Sequence, residues 1–224
     1  MDRLVIKTID NVIKVGYSGK KMSANFARFT AEFPGKTVYD MPAVGKDAII
    51  NIDTLTPDEV WQSEADALIT SKSDNLLTLR AADCIPLVFY VPGEKFLALA
   101  HVGTSGAALH LPSKLVKAAG YPPERIHCYV GPHISQKSYR FVDKDLSDKK
   151  LDMSWNIYIT HEPDGIHINL LGYVIDELKA NGVKDENIKI DEVDTGSDPK
   201  YFSHRRHKLT GEPNGRNCFA AQLL

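Results

Sequence analysis

Two short segments of the chain place a thiol and an imidazole in comparable settings, Cys84 in Ala82-Asp83-Cys84-Ile85-Pro86 and His101 in Ala100-His101-Val102-Gly103. Each follows a run that reads as a buried strand, Leu76-Leu77-Thr78-Leu79 before the first and Phe96-Leu97-Ala98-Leu99 before the second. Adjacent strand ends would bring both groups to one rim of an α/β sheet, where such folds place their chemistry. There a thiol and an imidazole can share a metal ion or act as nucleophile and base. Asp83 adds a carboxylate in apolar surroundings, which needs a partner to offset its desolvation. Taken singly, Cys84 also reads as a small buried hydrophobe and His101 as a core histidine bonded to a carbonyl.

The residues after His101 extend the candidate site. Gly103-Thr104-Ser105-Gly106 reads as a loop between strand and helix, so Gly103 and Ser105 are candidates to meet an anion or a ribose through backbone N–H groups and a hydroxyl. His133, after Gly131-Pro132, stands at another strand end, although a histidine there also suits a surface loop. In Tyr201-Phe202-Ser203-His204-Arg205-Arg206-His207 the pair of arginines offers planar partners for phosphate or carboxylate, with a solvated turn as the plainer reading. His110, His127, His161 and His167 have no supporting context.

Positioning these groups requires a core. The 224 residues are 43% hydrophobic with no low-complexity stretch, enough for one domain spanning 1–224. Ala67–Thr70, Leu76–Ala82, Ile85–Val91 and Phe96–Val102 are short apolar runs between turn residues and predict central strands buried on both faces of one sheet. Ile126–Val130, Ile188–Val193 and Cys218–Leu224 predict further strands. Phe26, Phe29 and Phe33 recur at helical spacing behind Ser23, a candidate cap, and Thr56-Pro57-Asp58-Glu59 opens a second helix. Asn169 caps a third, whose Leu170, Leu171, Val174, Ile175 and Leu178 form one stripe.

A formal net charge of −2 with interspersed signs gives no reason to expect nucleic acid or an anionic membrane as partner. No apolar window is long enough to span a bilayer and no signal segment precedes the first strand, so a cytoplasmic protein is expected. Three widely spaced cysteines without a Cys-x-x-Cys pair predict reduced thiols.

Five spaced motifs, Ala65-Asp66-Ala67-Leu68-Ile69-Thr70, Ala82-Asp83-Cys84-Ile85-Pro86-Leu87, Ala100-His101-Val102-Gly103, Gly131-Pro132-His133-Ile134, and Tyr201–Arg206 with Gly215-Arg216-Asn217, resemble in type and order the laccase-domain proteins. These were once labelled multicopper polyphenol oxidases and are now regarded as purine nucleoside phosphorylases. The resemblance runs from about Ala65 to the C-terminus. It implies a layered α/β (α+β) sandwich with mixed β-sheets flanked by helices, and a divalent metal, usually zinc, held by two histidines and one cysteine. Cys84 and His101 match two of those ligands. The first histidine of the family lies in a Gln-Val-His-Gly segment, and the matching stretch here is Ala43-Val44-Gly45-Lys46. A second departure is Ser105, where the family's Gly-Trp-Arg-Gly loop carries an arginine.

The leading expectation is therefore a purine nucleoside phosphorylase-like enzyme acting on adenosine or inosine, with adenosine deamination as a companion reaction and a degenerate metal site. Cys84, His101 and Asp83 would be catalytic, Gly103, Ser105 and Arg205 would bind nucleoside and phosphate, and Cys84, His101 and His133 would ligate zinc. Copper is disfavoured because the several histidine-rich motifs of a copper oxidase are missing. Two alternatives stay open: a relative that binds nucleoside without turnover, and a metal-free Cys/His hydrolase or deamidase. Oligomeric state is not legible.

Overall fold

Runs of consecutive apolar residues bury both faces of a strand, and alternate residues then enter two different cores. Ile85–Tyr90 shows this directly: all six residues are buried, with Ile85, Leu87 and Phe89 packed into one core and Val88 and Tyr90 into another. The computed structural model describes residues 4–23, 25–142, 146 and 151–224.

Among the described residues three sheets form, with helices on their outer faces. The first runs in the order Leu4–Ile9, Ile13–Ser18, Asn217–Leu223, Asn75–Ala81, Thr37–Asp40. The second runs Ile188–Ile190, His127–Val130, Ile85–Tyr90, Leu97–Val102, Ala65–Thr70, Ala48–Asn51. A small third sheet joins Arg140–Phe141, Gly165–Ile168 and Ile159–Glu162. In each of the first two, parallel pairing is confined to the edges, so both are mixed. This is the layered, mixed-sheet α/β architecture that the sequence implied.

One expectation is corrected here. The four apolar runs do not lie in a single sheet, because Asn75–Ala81 belongs to the first and the other three to the second. The chain crosses between layers at Ala82-Asp83-Cys84. Asp83 takes φ +86°, an unfavourable conformation for a non-glycine residue, to make that crossing.

Smaller differences have local causes. The first aromatic helix is Phe26–Thr30, capped by Asn25 rather than Ser23, whose hydroxyl is already committed to Ser18 and the Gly19 carbonyl. The helix at Pro57–Trp61 has the full reciprocal capping box of Thr56 and Glu59, and Leu170–Ala180 is capped by Asn169 as expected. Gly103 to Gly106 is not a loop, since Gly103 caps a short helix over Thr104–Ala108. The basic segment near the C-terminus is a helix, His204–Thr210, and Tyr201 before it is fully buried. The last parallel strand ends at Ile190, and the side chain of the next residue, Asp191, enters the interface between sheets.

Asp191 fastens the two large sheets together. Its Oδ2 accepts from Lys7 Nζ at 2.5 Å and Tyr17 Oη at 2.9 Å on the first sheet and from Tyr129 Oη at 2.7 Å on the second. Burial pushes its carboxyl up, but these bonds together with the Val193 N–H outweigh burial and hold it below the usual value. Because the folded value lies below the unfolded one, the contribution is complete above about pH 4 and is lost as pH falls through the folded value. Asp191→Ala should lower stability at neutral pH by about 3 kcal/mol in denaturant unfolding, and the gap to wild type should close below about pH 4. A gap that is independent of pH would show that the carboxylate charge is not what holds the sheets.

Candidate functional site

Cys84 immediately precedes the strand Ile85–Tyr90, and His101 lies near the end of its antiparallel neighbour Leu97–Val102, where it stands opposite Pro86. Antiparallel pairing therefore brings the start of one strand to the end of the next, and the thiol meets the imidazole across that join. The thiol stands near enough to the ring to favour its charged form. They line a cavity of about 190 Å³ together with Asp83, Gly103, Ser105, Tyr139 and Arg205 among others.

The third member of this constellation is Asp66, on Ala65–Thr70, the other neighbour of the His101 strand. Its carboxylate is fully buried, and Oδ1 lies 2.9 Å from His101 Nδ1. The remaining capacity accepts backbone N–H groups, Gly45 on Oδ1 at 3.0 Å and Lys46 on Oδ2 at 2.7 Å. With Nδ1 committed to Asp66, Nε2 is the ring nitrogen left for the sulfur. Burial alone would lower the imidazole's pKa, but the neighbouring Cys84 and Asp66 outweigh it and push it up to about 10. Asp66 stands inside the first of the five spaced motifs, where the sequence alone shows no role for it. A carboxylate within an otherwise apolar strand was the available signal.

Gly103 has a steric duty. A Cβ there would stand 2.9 Å from Cys84 Sγ, so a side chain at this position would displace the sulfur from its place beside the ring.

Asp83, expected to be catalytic, lines the cavity with both carboxylate oxygens engaged within the fold. Oδ1 accepts from Thr195 Oγ1 at 2.9 Å and Oδ2 from the Arg205 backbone N–H at 2.6 Å, while Ile134 N–H bonds its carbonyl at 3.0 Å. It holds the first turn of the His204–Thr210 helix against the crossing segment, and thereby sets where Arg205 stands. The Arg205 guanidinium lies 3.6 Å from the centre of the Phe141 ring and 5.7 Å from that of Tyr139, and its buried Nε has no hydrogen-bond partner among the described residues. Burial pushes the Tyr139 hydroxyl up to about 12. Ser105 is exposed and lines the same cavity. His204 faces it too, its pKa lowered by burial and by nearby Arg216.

His133 is the residue the structure does not bring in. Its ring is buried, Nδ1 bonds the Gly131 carbonyl at 2.8 Å, its backbone bridges to Asp194, and it is absent from the cavity lining. The Gly131-Pro132 turn folds the imidazole back onto its own strand end.

The chain matches, over residues 6–222, the family described as multi-copper polyphenol oxidoreductase laccase. The chain belongs to this family. Among curated relatives, a purine nucleoside phosphorylase of Rickettsia prowazekii is 30% identical over 90% of this chain and 84% of its own length. Another of that name from Staphylococcus aureus is 33% identical over 82% of this chain and 70% of its own. The crystal structure of the hypothetical protein YfiH of Bacillus licheniformis superposes with a TM-score of 0.78 at 20% identity, covering 95% of this chain and 93% of that one, and so shares the fold.

The family is associated with metal binding, and the donor set of this member can be tested against that. Cys84 and His101 supply two donors, Gly45 supplies no side chain, and His133 points elsewhere. Among the described residues no group of three His, Cys, Asp or Glu side chains is gathered to hold a metal. A catalytic zinc keeps three protein ligands, so these residues do not fit one.

Gly45 lines the cavity and a Cβ built there meets nothing within 4 Å, although its φ of +80° would cost a side chain about 1–2 kcal/mol. Gly45→His should therefore raise zinc affinity at least about tenfold, as read by titration against a competing chelator. An unchanged affinity would place position 45 out of reach of the thiol and imidazole.

Proposed function

We propose that this protein is a purine nucleoside phosphorylase-like enzyme whose cavity takes a nucleoside and inorganic phosphate. The observation that carries the reading is the cavity itself, where an imidazole, a thiol and an arginine without a hydrogen-bond partner at Nε meet in a chain about one-third identical to proteins of that name. In phosphorolysis a phosphate oxygen attacks the ribose anomeric carbon as the bond to the purine nitrogen breaks, and the departing base must take up a proton. His101, kept charged by its neighbours, is suited to donate it. Arg205 is suited to hold the phosphate, since a guanidinium seated on an aromatic ring is rigid and binds an oxyanion by paired N–H groups.

Ile134, Leu170 and the Tyr139 ring give the cavity apolar wall against which a flat base can lie. Gly103 and Ser105 stand where the ribose or phosphate would approach. With water in place of phosphate the same charged imidazole could assist loss of an amine, which is the basis for adenosine deamination as a companion reaction. Zinc suits the donor types better than copper does, but two donors fall short of a catalytic site and no step is assigned to it. A second reading, nucleoside binding without turnover, is favoured by Gly45 and Ser105 standing where the family carries histidine and arginine.

Protein purified without a nickel column should release hypoxanthine from inosine, or adenine from adenosine, only when phosphate is present. Arg205→Ala should raise the phosphate KM about 10- to 100-fold, the value of a charge-assisted hydrogen bond, with Arg205→Lys intermediate. Ser105→Arg should increase phosphorolysis. Nucleoside binding with no release of base in wild type or Ser105→Arg would overturn the enzyme reading in favour of the binding one.

A further inference from the structure

We infer that an open groove beside the cavity is a subsite for the phosphates of a nucleoside 5′-phosphate whose base and ribose occupy the cavity, with Arg80 and Arg216 holding the anion. The inference rests on the reading of the cavity as a nucleoside site and widens the substrate class of that site. Size is the first observation. A cavity of about 190 Å³ falls short of the roughly 300–1,000 Å³ usual for small-molecule sites, whereas the groove adds about 520 Å³. Position is the second. Ala43 lines the groove and Gly45 the cavity, and likewise Phe202 the groove and His204 the cavity. Two residues of chain span at most about 7 Å, the scale of a ribose with its 5′ substituent. Arg216 also stands near enough to His204 to lower the pKa of its ring.

The charge in the groove is of one sign. Arg80 and Arg216 line it, and among the described residues no carboxylate does. Arg80 gives one N–H to Asp40 Oδ2 at 2.7 Å, and its guanidinium lies 5.3 Å from the centre of the Phe26 ring and 5.2 Å from that of Trp61. A guanidinium carries five donors in a fixed fork, so most of them are left for a ligand. Arg216 Nη1 donates to Asn214 Oδ1 at 3.2 Å and to the Gly215 carbonyl at 2.9 Å, and no carboxylate pairs with it among the described residues. Glu212, on the turn before it, is bonded to Arg206 and Lys20. Both groove arginines are thus exposed yet held in place, which reduces the ordering cost of binding.

Phe202 gives the groove an aromatic wall whose position is fixed. Asn217 accepts the Phe202 N–H on Oδ1 at 2.9 Å and donates from Nδ2 to the Phe202 carbonyl at 2.8 Å. A Cβ on Gly215 would stand 2.5 Å from the ring, so glycine there leaves the ring its place. The same segment continues into Ser203 and the helix His204–Thr210, so groove wall and cavity wall are one piece of chain. Arginines that only keep a surface soluble need neither a fixed aromatic wall nor a rim shared with a cavity.

The test is calorimetric titration of the full chain, at low salt in phosphate-free buffer, with inosine 5′-diphosphate, inosine and pyrophosphate. The nucleotide should bind at least about tenfold tighter than either of the others, the value of one charge-assisted hydrogen bond, and inosine should displace it. Arg216→Gln should lower the ratio of nucleotide to inosine affinity about tenfold. Arg80→Lys, which keeps a charge beside Asp40, should lower the ratio by a smaller factor through loss of the fork. A ratio unchanged in folded Arg216→Gln would overturn the proposal, as would a nucleotide bound no tighter than inosine; either result leaves inosine binding, and the nucleoside reading with it, untouched. Pyrophosphate bound as tightly as the nucleotide would make the groove a site for free phosphate, and nucleotide that inosine cannot displace would lie outside the cavity; both overturn the proposal. Absence of inosine binding would instead remove the nucleoside reading and this one together.

Discussion

A single buried carboxylate organises the site. Asp66 is sealed from water, and a charge in that position is tolerable only when every lone pair facing the interior is met. Three donors meet it: two successive backbone N–H groups at Gly45 and Lys46, and the ring of His101. Loss of any of them would leave the others facing an unbalanced charge, so the loop before Ala48–Asn51, the strand Ala65–Thr70 and the strand Leu97–Val102 are bound into one unit. The orientation of the imidazole toward Cys84 follows from that unit. Gly45 contributes no side chain, yet it is part of the frame, because its bond to Asp66 comes from backbone.

The crossing segment supplies the other half of the cavity on the same logic. Asp83 is held at positive φ by bonds from Thr195, Ile134 and the Arg205 backbone, which together offset a strain of about 1–3 kcal/mol. Those contacts place the thiol at the head of one strand and the guanidinium at the head of a helix, both lining the same cavity. Asp83 and Asp66 are thus both buried carboxylates that accept backbone N–H groups, but only Asp66 also touches a group able to carry a proton. The division of labour between them comes from their neighbours rather than from residue type.

Much of this was legible in the chain. Apolar runs marked most strands to within a residue or two, Ile188–Val193 being three residues too long, because a strand buried on both faces can carry almost no polar side chain. Thr56 and Asn169 marked their helices because unsatisfied N–H groups at a helix start select such residues. Cys84, His101 and Arg205 stood out as reactive or charged residues beside buried runs. Pairing was not legible, since consecutive strands such as Asn75–Ala81 and Ile85–Tyr90 can lie in one sheet or in two without any change in their composition.

The sequence by itself determined the family, the strands and the chemical groups available, because these depend on residue types and on periodicities within a few positions. Only the tertiary structure decided which groups meet. It gave Asp66 its histidine, engaged Asp83 with Thr195 and the Arg205 backbone, and sent His133 back toward its own strand end. The physical reason is that such contacts join residues far apart in sequence, such as Asp83 with Thr195 and Arg205, through sheet order, strand direction and one strained crossing. None of these leaves a mark on the local pattern from which sequence reading works.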